Sequence, residues 1–168
     1  MKKEKATFAM GCFWTPDLLF SKKKGVISVK VGYTSGLPIY KNPTYEQVSY
    51  GSTGYAEGVE IVFNPKKISY KELLDIFWNN HNPTTLNRQG FDIGHQYRSA
   101  IFYHNEQQRS IALKSKKEFQ KKIDKTIVTE IIKAKEFYPA EEYHQKYLEK
   151  RGQKTCSSGT VKSLLSKF

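Results

Sequence analysis

Cysteine is scarce: the 168 residues hold only Cys12 and Cys156, far apart and outside any Cys-x-x-Cys or Cys/His zinc spacing. No structural metal and no cofactor are expected, and in a reducing compartment no permanent disulfide either. Long apolar runs are missing too. None approaches the roughly 20 residues that span a bilayer, and the start MKKEKATFAM has basic residues without the apolar stretch of a secretory signal. A cytoplasmic protein with no membrane contact is the expectation. Acidic residues are also in deficit, 16 Asp plus Glu against 28 Lys plus Arg, for a formal net charge of +12. Such a charge can steer an anionic partner. Most of it, however, is lysine spread through SKKKG (21–25), NPKK (64–67) and KSKKEFQKKIDK (114–125), the pattern of solvated helix faces and loops. No nucleic-acid partner is expected.

What is present is a globular composition, 38% hydrophobic and 14% aromatic, rich enough in aromatics to offset the entropy of ordering the chain. The length suits one domain over 1–168, with a core at about 6–150 and a polar, Gly/Ser-rich tail at 151–168 that is expected to be mobile and to carry Cys156. ATFAM reads as a buried strand entering Gly11, and WTPDLLFSKKKG as a helix with Pro16 and Asp17 in its first turn and Gly25 as its stop. VISVKVGY alternates Ile27, Val29, Val31 and Tyr33 against polar or small residues, the period of a half-buried strand. The turn-rich TSGLPIYKNPTY leads to a strand at GVEIVF, and SYKE (69–72) is a capping box before a helix with Tyr70, Leu73, Leu74, Phe77 and Trp78 on one face.

Residues 81–97, HNPTTLNRQGFDIGHQY, have no periodicity, and a loop that long in a small domain is usually functional or disordered. RSAIFYH is expected as a strand, NEQQRSIALKSKKEFQKKI as an exposed helix, TIVTEIIKAKEF as a strand, and PAEEYHQKYLEK as a helix with Pro139 at its first position. The first six elements run β-α-β-β-α-β. The expected fold is therefore α+β: a two-layer sandwich with a ferredoxin-like split βαβ core, extra C-terminal helix and strand, and an irregular tail.

A buried cysteine is ordinarily inert packing, but Cys12 is placed where a strand turns into a helix. There the positive end of the helix dipole and unpaired N–H groups stabilise a thiolate, the nucleophilic form. GYAEGVEIV sets Glu57 at a strand start near Gly54 and Gly58. Buried among aromatics, such a carboxyl would keep its proton and could act as a general acid. Tyr45, Asp92 and Tyr97 supply further polar groups from loops. Of the histidines His81, His95, His104 and His144, none has ligand spacing, and His144 shares a face with Tyr143, Tyr147 and Leu148 as a core residue would.

In order and spacing, GCFW, NPTYEQV, GSTGYAEGVEI, HNPTTLNRQGFDIGHQYRS and FYPAEEYHQKYL resemble the motifs of the type A peptide methionine sulfoxide reductases over residues 7–148. The resemblance implies reduction of the S epimer of methionine sulfoxide, free or in proteins, to methionine. It implies Cys12 as nucleophile, Phe13 and Trp14 as pocket aromatics, Glu57 as acid, and Tyr45, Asp92 and Tyr97 as contacts to the substrate oxygen and nearby water. It further implies that Cys156 closes a disulfide with the oxidised Cys12 and that thioredoxin reduces it. A monomer is the expectation. Departures from the family pattern are Thr15, Tyr55, Phe91 and His95, none at a proposed catalytic position. A cysteine peroxidase would share the sulfenic acid but act on hydrogen peroxide. A nucleic-acid-binding domain would explain the charge but neither Glu57 nor the setting of Cys12.

Overall fold

A computed structural model describes residues 1–155; Cys156 and the rest of the tail lie outside the described residues. In chain order the elements are β1 (Glu4–Met10), α1 (Trp14–Ser21), β2 (Val26–Thr34), α2 (Tyr45–Ser49), β3 (Ala56–Phe63), α3 (Tyr70–Asn79), β4 (Arg88–Gln89), β5 (Asp92–Ile93), β6 (Ser99–Tyr103), α4 (Glu106–Gln120), β7 (Glu130–Lys133), β8 (Phe137–Pro139) and α5 (Tyr147–Lys150), with 3-10 turns at His95–Tyr97 and Glu142–His144. It is a mixed α/β arrangement around one six-stranded sheet in the order β7-β6-β1-β3-β2-β8, antiparallel except for the parallel β6–β7 pair. β4 and β5 form a separate two-stranded ribbon. No helix among the described residues is long and apolar enough to cross a membrane.

Phe8 of the central strand β1 shows how the helices are held. It is fully buried, and its ring lies 5.7 Å from Phe20 of α1, 6.1 Å from Tyr70 and 5.2 Å from Phe77 of α3. Alternation along the strand turns the neighbouring Ala9 the other way, into a smaller cluster with Ala56, Ala100 and Phe102. Removing such a buried phenyl ring costs about 3–5 kcal/mol. α3 follows its sequence closely. Ser69 and Glu72 close the capping box through Glu72 N–H to Ser69 Oγ at 3.1 Å and Ser69 N–H to Glu72 Oε2 at 2.7 Å, and all five apolar residues of the face are buried.

Four expectations need correction. Ile27 is 41% exposed because the register shifts between Val26 and Ser28, and the extra residue of a bulge breaks the period of two. The strand expected over 126–137 is confined to Glu130–Lys133, and a second strand, Phe137–Pro139, pairs with β2 at the far edge of the sheet. An edge position suits Pro139, which has no N–H to give to a further strand. The helix expected from Pro139 onward is a 3-10 turn, a left-handed Lys146 (φ 53°) and only then α5. Side-chain bonds from elsewhere capture this backbone. Gln145 bridges Val31 N–H and C=O at 3.0 and 2.9 Å, and Asp17 Oδ2 accepts Lys146 N–H at 2.7 Å. Such fixed partners outweigh a helix preference of tenths of a kcal/mol per residue. α1 also ends earlier than expected, at Ser21, with Gly25 in the turn before β2.

Candidate functional site

The half-buried Cys12 sits between the end of β1 and the start of α1. Gly11 makes the turn possible: its φ is 84°, and a Cβ there would come within 2.6 Å of Gln89 Cβ. Gln89 in turn clamps Asn82 by two 2.9 Å bonds, Asn82 N–H to its Oε1 and its Nε2 to Asn82 C=O. The 81–97 segment is thus packed directly on the Cys12 turn.

Glu57 lies opposite Tyr33 in the β2–β3 register and is 2% exposed. Its Oε2 accepts the Phe13 N–H at 3.2 Å, one of the otherwise unpaired amides opening α1, so the carboxyl is tied to the residue after Cys12. Phe13 is 1% exposed, its ring 5.8 Å from Tyr33 and 5.2 Å from His144. The Trp14 indole N–H donates to His144 Nδ1 at 3.1 Å, and its ring stacks on Tyr147 at 3.8 Å and 7°. The Tyr45 ring lies 4.5 Å from His144 on another side. His144 is therefore buried, as expected of a core residue, at the centre of the aromatic cluster.

Electrostatics joins these groups. Burial, more than any other cause, pushes the Tyr97 hydroxyl well above its ordinary value of 10, and negative charge on Glu57, Tyr45, Asp92 and Cys12 pushes the same way. Tyr45 is raised first by burial and then by Glu57 and Cys12, with a hydrogen bond from Ser49 pulling against them. Charge on four positions singled out in the sequence, Cys12, Tyr45, Glu57 and Asp92, therefore reaches the hydroxyl of a fifth, Tyr97, with Phe13 and Trp14 next to Cys12 in the chain. Both phenols keep their protons at neutral pH. Asp92 enters on the β4–β5 ribbon, two residues after the turn glycine Gly90. Among the described residues no group of three or more His, Cys, Asp or Glu could hold a metal ion.

Two carboxylates of the site escaped sequence reasoning. Glu141 accepts the Tyr33 hydroxyl on Oε1 at 3.0 Å and the Tyr45 N–H on Oε2 at 3.1 Å. Asp17 is 2% exposed, and burial pushes its carboxyl up to about 6 against the lowering effect of the Lys146 N–H bond. In PAEEYHQ nothing local separates an inward Glu141 from an outward Glu142, and Asp17 reads as an ordinary first-turn acid.

A family described as peptide methionine sulfoxide reductase matches residues 4–167. The chain belongs to that family. It is 57% identical over 149 residues to a peptide methionine sulfoxide reductase MsrA of Methanococcoides burtonii, covering 88% of this chain and 96% of the relative. Among solved structures it resembles Mxr1 of Saccharomyces cerevisiae in reduced form, with a TM-score of 0.89 at 39% identity over 95% of this chain and 92% of the yeast one. Mxr1 in complex with Trx2 aligns with a TM-score of 0.63 at 31% identity, over 87% and 85% of the two chains.

Proposed function

We propose that this chain reduces methionine S-sulfoxide, free and protein-bound, to methionine, with Cys12 as nucleophile and thioredoxin as final reductant. The observation that carries the reading is that a buried carboxyl, bonded to the amide next to a thiol, acts together with that thiol on two raised phenols, Tyr45 and Tyr97. A sulfoxide oxygen leaves poorly until protonated, so donors grouped beside a thiol suit this bond. The methyl group rests against Phe13 and Trp14. The Cys12 thiolate attacks the sulfur while Glu57 gives a proton to the oxygen and Tyr45, Tyr97 and Asp92 hold that oxygen and its water. The new bond between Cys12 sulfur and the substrate sulfur and the S–O bond then break as the protonated oxygen passes to Cys12, so methionine departs and Cys12 is left as a sulfenic acid. The Cys156 thiol condenses with it, releasing water and forming a disulfide. A thioredoxin dithiol then takes up the oxidation, returning both cysteines to thiols; the yeast relative seen with Trx2 supports this partner.

The burial of Glu57 away from water disfavours its charged form, whereas the Phe13 N–H bond favours it. The role of Glu57 as acid needs the first to prevail when substrate closes the pocket. We further read the β1-α1-β2-β3-α3-β6 portion, with its internal sheet order β6-β1-β3-β2, as a ferredoxin-like split βαβ core, and the protein as a cytoplasmic monomer of one domain with residues 151–168 delivering Cys156. The test is incubation with racemic methionine sulfoxide and dithiothreitol. Loss of the S epimer alone is expected; loss of neither epimer, or of the R epimer, refutes the assignment.

A further inference from the structure

We propose that Glu141 is a positioning residue for the reaction, acting through Tyr45. The two oxygens of one carboxylate take donors from two walls of the pocket, Tyr33 Oη on β2 at 3.0 Å and the Tyr45 amide at the start of α2 at 3.1 Å. The Tyr33 side is set in the sheet: its ring is fully buried, lies opposite Glu57 in the strand register, and is 5.8 Å from the Phe13 ring. The Tyr45 side is not held in this way by the sheet. α2 has only five residues, Tyr45–Ser49, and is reached through a turn-rich stretch, too short a helix to fix its own position by propensity. Thr44 and Gln47 cap it from within, while Val48 seats its far end in the core and Ser49 C=O accepts Gln96 Nε2 at 3.4 Å, which leaves the Tyr45 end to be fixed separately. Its first amide is tied to the core through Glu141.

Glu141 is itself held in place, because its own C=O accepts the His144 N–H at 3.0 Å, and His144 accepts the Trp14 indole N–H at 3.1 Å and packs on Tyr45 at 4.5 Å. The carboxylate therefore ties the phenol that would donate to the sulfoxide oxygen to the aromatics that would hold the methyl group. Charge-assisted bonds of this kind are the strong ones, and misplacing a catalytic group by about 1 Å can cost on the order of a hundredfold in rate.

The inference rests on the reading of Tyr45 as a donor to the sulfoxide oxygen, and a double-mutant cycle separates the two. Wild type, Glu141→Ala, Tyr45→Phe and the double variant are each mixed with one equivalent of methionine S-sulfoxide, and methionine release is followed in a single turnover. Phenylalanine at 45 removes the phenol but keeps the amide that Glu141 holds. Glu141→Ala should slow release by about ten- to a hundredfold while leaving the rate of Cys12 alkylation by iodoacetamide unchanged, and in the Tyr45→Phe background its further cost should shrink to less than about threefold if the two act as one unit. Equal costs in both backgrounds would overturn the inference, as would a wild-type rate for Glu141→Ala. If the alanine variant does not fold, Glu141→Asp serves in the same cycle: its carboxylate, one methylene shorter, cannot span both donors, and a wild-type rate or an additive cost is again fatal. A Tyr45→Phe rate equal to wild type would overturn both the donor role of Tyr45 and the inference about Glu141, with epimer-specific reduction by the wild type still standing. Loss of that reduction would instead refute the function itself.

Discussion

Replacing Glu57 by Gln keeps the shape of the side chain and removes its capacity to give a proton as an acid. The carboxyl is 2% exposed and accepts the Phe13 N–H at 3.2 Å, and an amide of the same shape offers an oxygen to that N–H. The stability change should therefore stay within about 1–2 kcal/mol, the difference between a charged and a neutral acceptor. The chemical step should suffer far more. General acid catalysis contributes roughly 10²- to 10⁴-fold, or about 2.7–5.4 kcal/mol of barrier at 1.36 kcal/mol per tenfold, and neither Tyr45 nor Tyr97 replaces it readily, since both phenols are pushed above their ordinary value of 10. The assay is rapid mixing with one equivalent of methionine S-sulfoxide, acid quench and chromatographic measurement of methionine, with iodoacetamide labelling of Cys12 as a control for an intact nucleophile. A single-turnover rate within about twofold of wild type, well under the expected range, would show that Glu57 transfers no proton and only anchors the α1 amide. Glu57→Ala should differ in kind: it leaves the Phe13 N–H without its acceptor and adds a stability loss of about 1–3 kcal/mol, read as a lower urea midpoint.

Cys12→Ser should abolish methionine release with any reductant, because a hydroxyl is a much weaker nucleophile than a thiolate at neutral pH; retained turnover by the same chromatographic assay would sink the assignment. Cys156→Ser should still release one methionine per enzyme, lose nearly all steady turnover with thioredoxin and leave a sulfenic acid that dimedone labels in mass spectra. Normal thioredoxin-linked turnover by that variant, with no Cys12–Cys156 peptide in oxidised wild type, would make Cys156 a bystander. His81 is buried with its pKa pushed from 6.5 down to about 4 by desolvation, so the unfolded chain binds the extra proton first: the contribution is intact above pH 6.5 and is lost as pH falls toward 4, roughly 3 kcal/mol over the window. Urea midpoints between pH 7.5 and 4.5 should fall less steeply for His81→Gln, and an unchanged slope would refute the linkage.

What the sequence made legible followed locality. α3 could be read because its capping box and its period of 3.6 lie within ten residues, and all five residues assigned to its inner face are buried. β2 was legible as a strand, yet its bulge at Val26–Ser28 leaves Ile27 exposed, and no local pattern announced that. The 81–97 segment, which lacks periodicity, holds a ribbon of two-residue strands fixed by bonds within it, Gln89 to Asn82, and by partners outside it, Val128 N–H to Pro83 C=O, Gln96 to Ser49 C=O and Gln89 packed on Gly11. Cys12, Tyr45, Glu57 and the Asp92–Tyr97 pair come from four separate segments, and only the fold shows that they bear on one another.

The misreading of 139–150 has the same cause as the missed carboxylates. PAEEYHQKYLEK has the composition of a helix, and an isolated peptide would have little reason to break at Lys146. In the fold, Asp17 draws the Lys146 amide into a 2.7 Å bond, Gln145 fills the β2 edge at Val31, and Glu141 reaches Tyr33 and Tyr45. A continuous helix would carry His144 and Tyr147 round one face at i and i+3. The left-handed residue between them instead lets one accept the Trp14 indole N–H while the other stacks on the Trp14 ring. Local helix preference is thus given up where the chain wraps the tryptophan next to the reactive turn, the kind of local inconsistency that functional sites tend to carry.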